Sequence, residues 1–95
     1  MNDGEFQWDD AKAARNYAKH NITFDAARSV FDDPYVLDWV DDGQDEGERR
    51  FAALGMVEGR LLFVAYTIRG DSIRIISARR AAPFERRRYH DQPEA

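Results

Sequence analysis

Two short turns constrain this chain most. Glu58-Gly59 and Gly70-Asp71 separate three stretches whose side chains follow a period of two. Runs of that period joined by two-residue, glycine-containing turns fold back on themselves, because such turns match the twist of paired strands. Residues 48–57, 60–69 and 72–79 are therefore expected as successive strands of an antiparallel meander. Residues 35–40 supply a further strand before them. In the stretch 60–69, Leu62, Val64, Tyr66 and Ile68 alternate with Leu61, Phe63, Ala65 and Thr67. A strand apolar on both faces belongs in the middle of its sheet.

Upstream the period is helical. Asp9 or Asp10 caps a helix reaching about Asn21, with Ala11, Ala14, Ala18 and Tyr17 at helical spacing. Thr23 caps a second, with Ala26, Ala27, Val30 and Phe31 as its apolar face. It stops before Pro34, since the residue preceding a proline is driven out of the helical region. Phe6 and Trp8 flank Gln7 as a small strand or a core anchor. Pro83 suits the first turn of a last helix ending near Asp91. The expected class is α+β: two N-terminal helices, a four-stranded antiparallel sheet and a C-terminal helix, with the helices over one face, in a single domain over residues 1–95. At 95 residues, folding buries roughly 60 per cent of the unfolded surface, enough for one core.

Charge is unevenly spread. Residues 1–47 carry 12 acidic and 4 basic side chains; residues 48–95 carry 6 and 10, and all of those 10 are arginine. Such asymmetry points to a nucleic acid or an oppositely charged partner. A sequence pI near 5.1 argues against a dedicated duplex-DNA binder and fits a small basic cleft on an acidic body. Without cysteine there is no disulfide, thiol nucleophile or thiolate metal site. Two distant histidines show no ligand spacing, so neither a metal nor another cofactor is expected. The acidic segment 41–47 lacks the ordered spacing of a calcium loop and reads as a hairpin connection. The N-terminus shows no basic-then-apolar leader, and no apolar run approaches the length of about 20 residues that a membrane helix needs. A cytoplasmic location without membrane contact is expected.

The chemistry-bearing candidates lie at both ends. Lys12, Asn16 and His20 fall at i, i+4 and i+8, with Lys19 at i+7, on one side of the first helix. They form either a polar wall carrying His20 as acid or base, or a solvated face with His20 answering the helix dipole. On the last strand, strict alternation puts Arg74, Ile76, Ala78 and Arg80 on one face and Ile73, Ile75, Ser77 and Arg79 on the other. Arginine forks onto phosphate oxygens, making Arg50, Arg74, Arg79 and Arg80 phosphate-binding candidates; the alternative partners are Glu48, Asp71 and Glu85. Glu85 and Tyr89, at i and i+4, are further proton carriers with Lys12, or Tyr89 is a core anchor. Ser77 has no nearby base in sequence and no nucleophile-elbow glycines, so a serine-hydrolase role is not expected.

The ordered set Phe6-Gln7-Trp8-Asp9, Lys12, Asn16, Lys19-His20-Asn21-Ile22, Phe24, Ala27 and Phe31-Asp32-Asp33-Pro34 resembles the opening of the BrnT toxins. Glu48-Arg49-Arg50-Phe51, Gly55, the run Arg74-Ile75-Ile76-Ser77-Ala78-Arg79 and Glu85-Arg86-Arg87-Arg88-Tyr89 resemble its close. The resemblance implies a RelE-like fold and a type II toxin that cleaves RNA and arrests translation. It also implies a cognate BrnA-like antitoxin, operator DNA contacted only through the antitoxin complex, and a dimer or heterotetramer with that antitoxin. Metal-independent cleavage needs a base for the ribose 2′-hydroxyl, an acid for the leaving 5′-oxygen and cations at phosphorus. His20, Lys12, Arg79, Glu85 and Tyr89 are the catalytic candidates for those roles. The alternative is a non-catalytic binding module acting through a complex that represses its own promoter.

Overall fold

The computed structural model describes residues 1–41 and 48–93. The acidic connection expected at 41–47 lies, beyond Asp41, outside the described residues. In chain order the elements are β1 (Phe6–Gln7), α1 (Asp10–His20), α2 (Phe24–Arg28) with a 3-10 turn at Ser29–Asp32, β2 (Leu37–Val40), β3 (Phe51–Val57), β4 (Arg60–Arg69), β5 (Ser72–Arg80) and α3 (Pro83–His90).

The caps act as their chemistry requires. The Asp9 carboxylate accepts from the Lys12 N–H at 3.0 Å, and α1 ends on Asn21 in the left-handed region at φ 58°. The Thr23 hydroxyl accepts from the Ala26 N–H at 3.0 Å. Asp33 accepts from the Tyr35 N–H at 2.9 Å, an Asx turn that keeps residues 34–35 out of the sheet. For that reason β2 begins at Leu37 rather than at Tyr35. β3 likewise begins at Phe51 rather than at residue 48, because its ladder with β2 closes on the Val40–Phe51 pair.

The sheet runs β1-β5-β4-β3-β2, with β4 central as expected. It has five strands instead of four. Phe6 and Gln7 pair in parallel with Ile73 and Arg74, so the sheet is mixed. Helices also occupy both faces, not one. Phe6, Tyr66, Val64, Leu62, Ile75 and Ala78 pack beneath α1 and α2 with Ile22, Phe24, Ala27 and Val30. On the reverse face Leu54 and Leu61 meet Tyr89 of α3, with Leu37, Trp39, Met56 and Phe63 around them. The eight residues of α3 cover one end of that face, and among the described residues no helix lies over the end near the β4–β5 turn.

The pairing of β5 with β4 contains a bulge. Ser77 pairs with Ala65 and Ile75 with Tyr66, so Ile76 has no partner across the ladder. The extra residue inverts the alternation on one side of it. Arg74, Ser77 and Arg79 consequently share the reverse face, opposite Thr67, Ala65 and Phe63. The parity expected from strict alternation, which grouped Arg74 with Ala78 and separated it from Ser77 and Arg79, is therefore wrong.

Candidate nucleic-acid interface

The uncovered end of the reverse face is a cleft of about 270 Å3 lined by Lys12, Glu48, Arg50, Thr67, Arg69, Arg74 and Ile76. The two hairpins assemble it. Thr67 on β4 lies opposite Arg74 on β5, and β3 carries Arg50 in on the other side. Arg69 and Arg74 are held in place. Arg69 forks onto Glu48 at 2.7 and 2.9 Å, the Thr67 hydroxyl donates to the same carboxylate at 3.4 Å, and Arg74 donates to Gln7 Oε1 at 3.0 Å. The Arg69 guanidinium holds the Glu48 carboxyl below the usual carboxylate range, so Glu48 stays ionised at neutral pH.

Lys12 reaches this cleft because α1 lies along the outer edge of β5. Asn16, buried on α1, donates to the Ala78 carbonyl at 2.9 Å and accepts from the Ala78 N–H at 3.1 Å, as a paired strand residue would. It also donates to the Ile22 carbonyl at 3.1 Å. Asn16 is therefore a clamp that fixes α1 to the sheet. Beside it runs a second groove of about 340 Å3, lined by Lys12, Arg15, Asn16, Lys19, His20, Ile76 and Ser77. Lys12 and Ile76 line both depressions, which makes them one continuous surface.

The remaining candidates sit under α3. Arg79 forks onto Glu85 at 2.8 and 3.0 Å and covers the Phe63 ring at 4.1 Å. Glu85 is 4 % exposed and also accepts from the Ala82 N–H at 2.7 Å, tying the first turn of α3. Burial pushes the Glu85 carboxyl up, but Arg79 and that N–H outweigh it and the net shift is downward. The Tyr89 hydroxyl donates to Asp33 at 2.5 Å; burial and that carboxylate push its pKa up to about 12, so it is a fixed neutral donor near pH 7. Arg80 pairs with Leu62 and belongs to the opposite face of the sheet. In the C-terminal run Arg88 stacks over Trp39 at 4.5 Å. The structure thus brings Lys12, Arg50 and Arg74 together, places His20 in the adjoining groove, and separates Arg79, Glu85, Tyr89 and Arg80 from them.

A family model described as the ribonuclease toxin BrnT of type II toxin–antitoxin systems matches residues 8–85. The chain belongs to the BrnT family. A search of curated proteins finds no significant match. The family is one of ribonuclease toxins, and type II membership implies an antitoxin partner. The matched span carries every residue of the two depressions.

Arg69, Glu48, Thr67, Arg15 and the bulged Ile76 are the parts of this BrnT-family surface that sequence reasoning passed over as site residues. A signal for some of them existed. Counting back from Gly70-Asp71 puts Thr67 opposite Arg74, and counting back from Glu58-Gly59, one residue past the ladder, puts Arg50 opposite Thr67. No comparable signal marks the bulge. Among the described residues no group of three or more His, Asp or Glu is arranged to hold a metal ion, and no helix is long and apolar enough to cross a membrane.

Proposed function

We propose that this chain is a metal-independent endoribonuclease that cuts single-stranded RNA across the joined depressions and so inhibits translation. The observation that carries the reading is that Lys12, Arg15, Lys19 and Arg74 line the joined depressions beside the Glu48–Arg69 pair, on a chain of net charge −4. An acidic protein gains nothing for its own stability by gathering like charges on one surface; a polyanion bound there neutralises them.

In the reaction the ribose 2′-oxygen attacks the adjacent phosphorus while its proton passes to a base. The P–O5′ bond breaks as an acid protonates the leaving oxygen, which yields a 2′,3′-cyclic phosphate and a 5′-hydroxyl. Lys12, Arg50 and Arg74 bind the phosphate and stabilise the charge that gathers on its oxygens. Glu48, kept ionised by Arg69, takes the 2′ proton, and His20 supplies the other. Arg79, Glu85 and Tyr89 act indirectly, by fixing α3 and the floor beneath it. A cognate BrnA-like antitoxin restrains the enzyme in a cytoplasmic complex, as a dimer or heterotetramer, that contacts operator DNA through the antitoxin. RelE-like ribonucleases are the fold relatives this reading implies.

Purified protein and an Arg74→Ala variant, incubated with labelled RNA in a chelator, test the assignment. The expected result is cleavage by the parent and a loss of about 100-fold in the variant, with melting temperatures nearly equal. Equal cleavage by a folded variant removes Arg74 from the site. No cleavage by either, with tight antitoxin binding, favours the non-catalytic module.

A further inference from the structure

We infer that the groove between α1 and the bulge of β5 is a subsite for one unstacked nucleobase, with the Ser77 hydroxyl hydrogen-bonding to the base edge. The inference rests on the RNA reading above and adds a specificity determinant to it.

Four observations converge. The groove is lined by Ile76 and Ser77 of β5 together with Lys12, Arg15 and Lys19 of α1. An apolar residue set among cations suits a base whose own phosphates lie close by. Among the described residues no strand pairs with the outer edge of β5 there: β1 pairs with it at Ile73 and Arg74, and Asn16 bonds it at Ala78. The bulge falls at Ile76, which lines both depressions, with Lys12, Arg69 and Arg74 in one and His20 in the other. Bulges re-aim side chains in this way where a strand serves a site. Finally, the Ser77 hydroxyl, only partly buried, has no hydrogen-bond partner among the described residues. A hydroxyl left over on a residue that lines a groove is an available donor and acceptor for a base edge.

The ligand class follows from geometry. A duplex keeps its bases stacked and their pairing edges occupied, so only a single-stranded segment presents a base to this groove. Ser77 reads one nucleotide, whereas Lys12 and Arg74 bind any sequence through its phosphates.

Equilibrium binding of four short, non-cleavable 2′-fluoro RNA homopolymers to the full chain is the test. The parent is expected to discriminate among the four. Ser77→Ala is expected to narrow the ratio of strongest to weakest about 5-fold, the worth of one hydrogen bond of roughly 1 kcal/mol. Ser77→Thr keeps the hydroxyl in a good strand residue and is expected to retain the discrimination. Arg74→Ala is expected to weaken all four alike. Unchanged ratios in a folded Ser77→Ala protein, or a parent that binds all four equally, overturn the base subsite and leave the ribonuclease reading standing. Absence of binding to every oligonucleotide overturns both. Cleavage of ordinary RNA, scored separately, decides the enzymatic reading alone.

Discussion

At the scale of single residues, arginines on one strand do opposite work. Arg74 lines the open cleft, where it donates to the Gln7 amide oxygen, whereas Arg79 is locked to a carboxylate that has lost its water. Substituting Arg79 by alanine leaves Glu85 charged and buried without its cation. Because the Arg79 side chain itself is 36 % exposed, the cost is put below that of a fully buried pair, at about 2–3 kcal/mol. Arg74→Ala is expected to cost less than about 1 kcal/mol and yet to remove cleavage. Urea titrations of both variants alongside an RNA assay separate the two roles; a stable Arg79→Ala protein would show that the ion pair is dispensable. The same region predicts a pH response. Asp33 lies below its ordinary value of 3.8 because the N–H groups of Met56 and Tyr35 and the Tyr89 hydroxyl overcome the upward push of burial. Glu85 lies below its ordinary value of 4.5. The unfolded chain therefore binds more protons, so their contribution is complete above these values and is lost as pH falls through them. A lower urea midpoint at pH 3 than at pH 6 is the expected outcome, with a shallower dependence in Asp33→Asn.

At the scale of elements, the turns and the close contacts decide stability. Gly55 on β3 lies directly under the 3-10 turn; a Cβ there would stand 2.7 Å from both the Cγ1 and the carbonyl oxygen of Val30. Gly55→Ala is expected to cost roughly 1–3 kcal/mol by overpacking, read as a fall in melting temperature. The β3–β4 turn places Glu58 at φ 49° and Gly59 at φ 80°, the geometry of a type I′ hairpin. Glutamate is strained there and asparagine is not, so Glu58→Asn is expected to raise stability by about 0.5–1 kcal/mol. A melting temperature unchanged by that substitution would mean the turn relaxes without cost. The β3–β4 and β4–β5 turns could be read from the chain because each contains a glycine, Gly59 or Gly70, that takes up a positive φ. Gly55 could be noticed but not explained, since its constraint comes from Val30, which is 25 positions away.

At the scale of the molecule, an acidic body carries one basic surface. Affinity for single-stranded RNA is expected to fall as salt rises, with a log–log slope of about −0.7 for each phosphate neutralised. Three to five such contacts give a slope of roughly −2 to −4, and Arg74→Ala is expected to make it shallower by under one unit. A slope near zero would deny the surface its electrostatic role. The β4–β5 and β3–β4 hairpins, the central place of β4 and the helix caps were determined by the sequence alone, because each depends on residues near one another in the chain. Tertiary structure decided the rest. The parallel pairing of β1 with β5 joins segments more than 60 residues apart, and the burial of Glu85 against Arg79 depends on which end of the sheet α3 covers. The bulge at Ile76 decided which arginines share a face, and no local preference of that residue announces an extra position in the ladder. Side-chain direction along a strand reverses with every inserted residue, so one unpaired isoleucine determines whether Arg74 faces the cleft or the core.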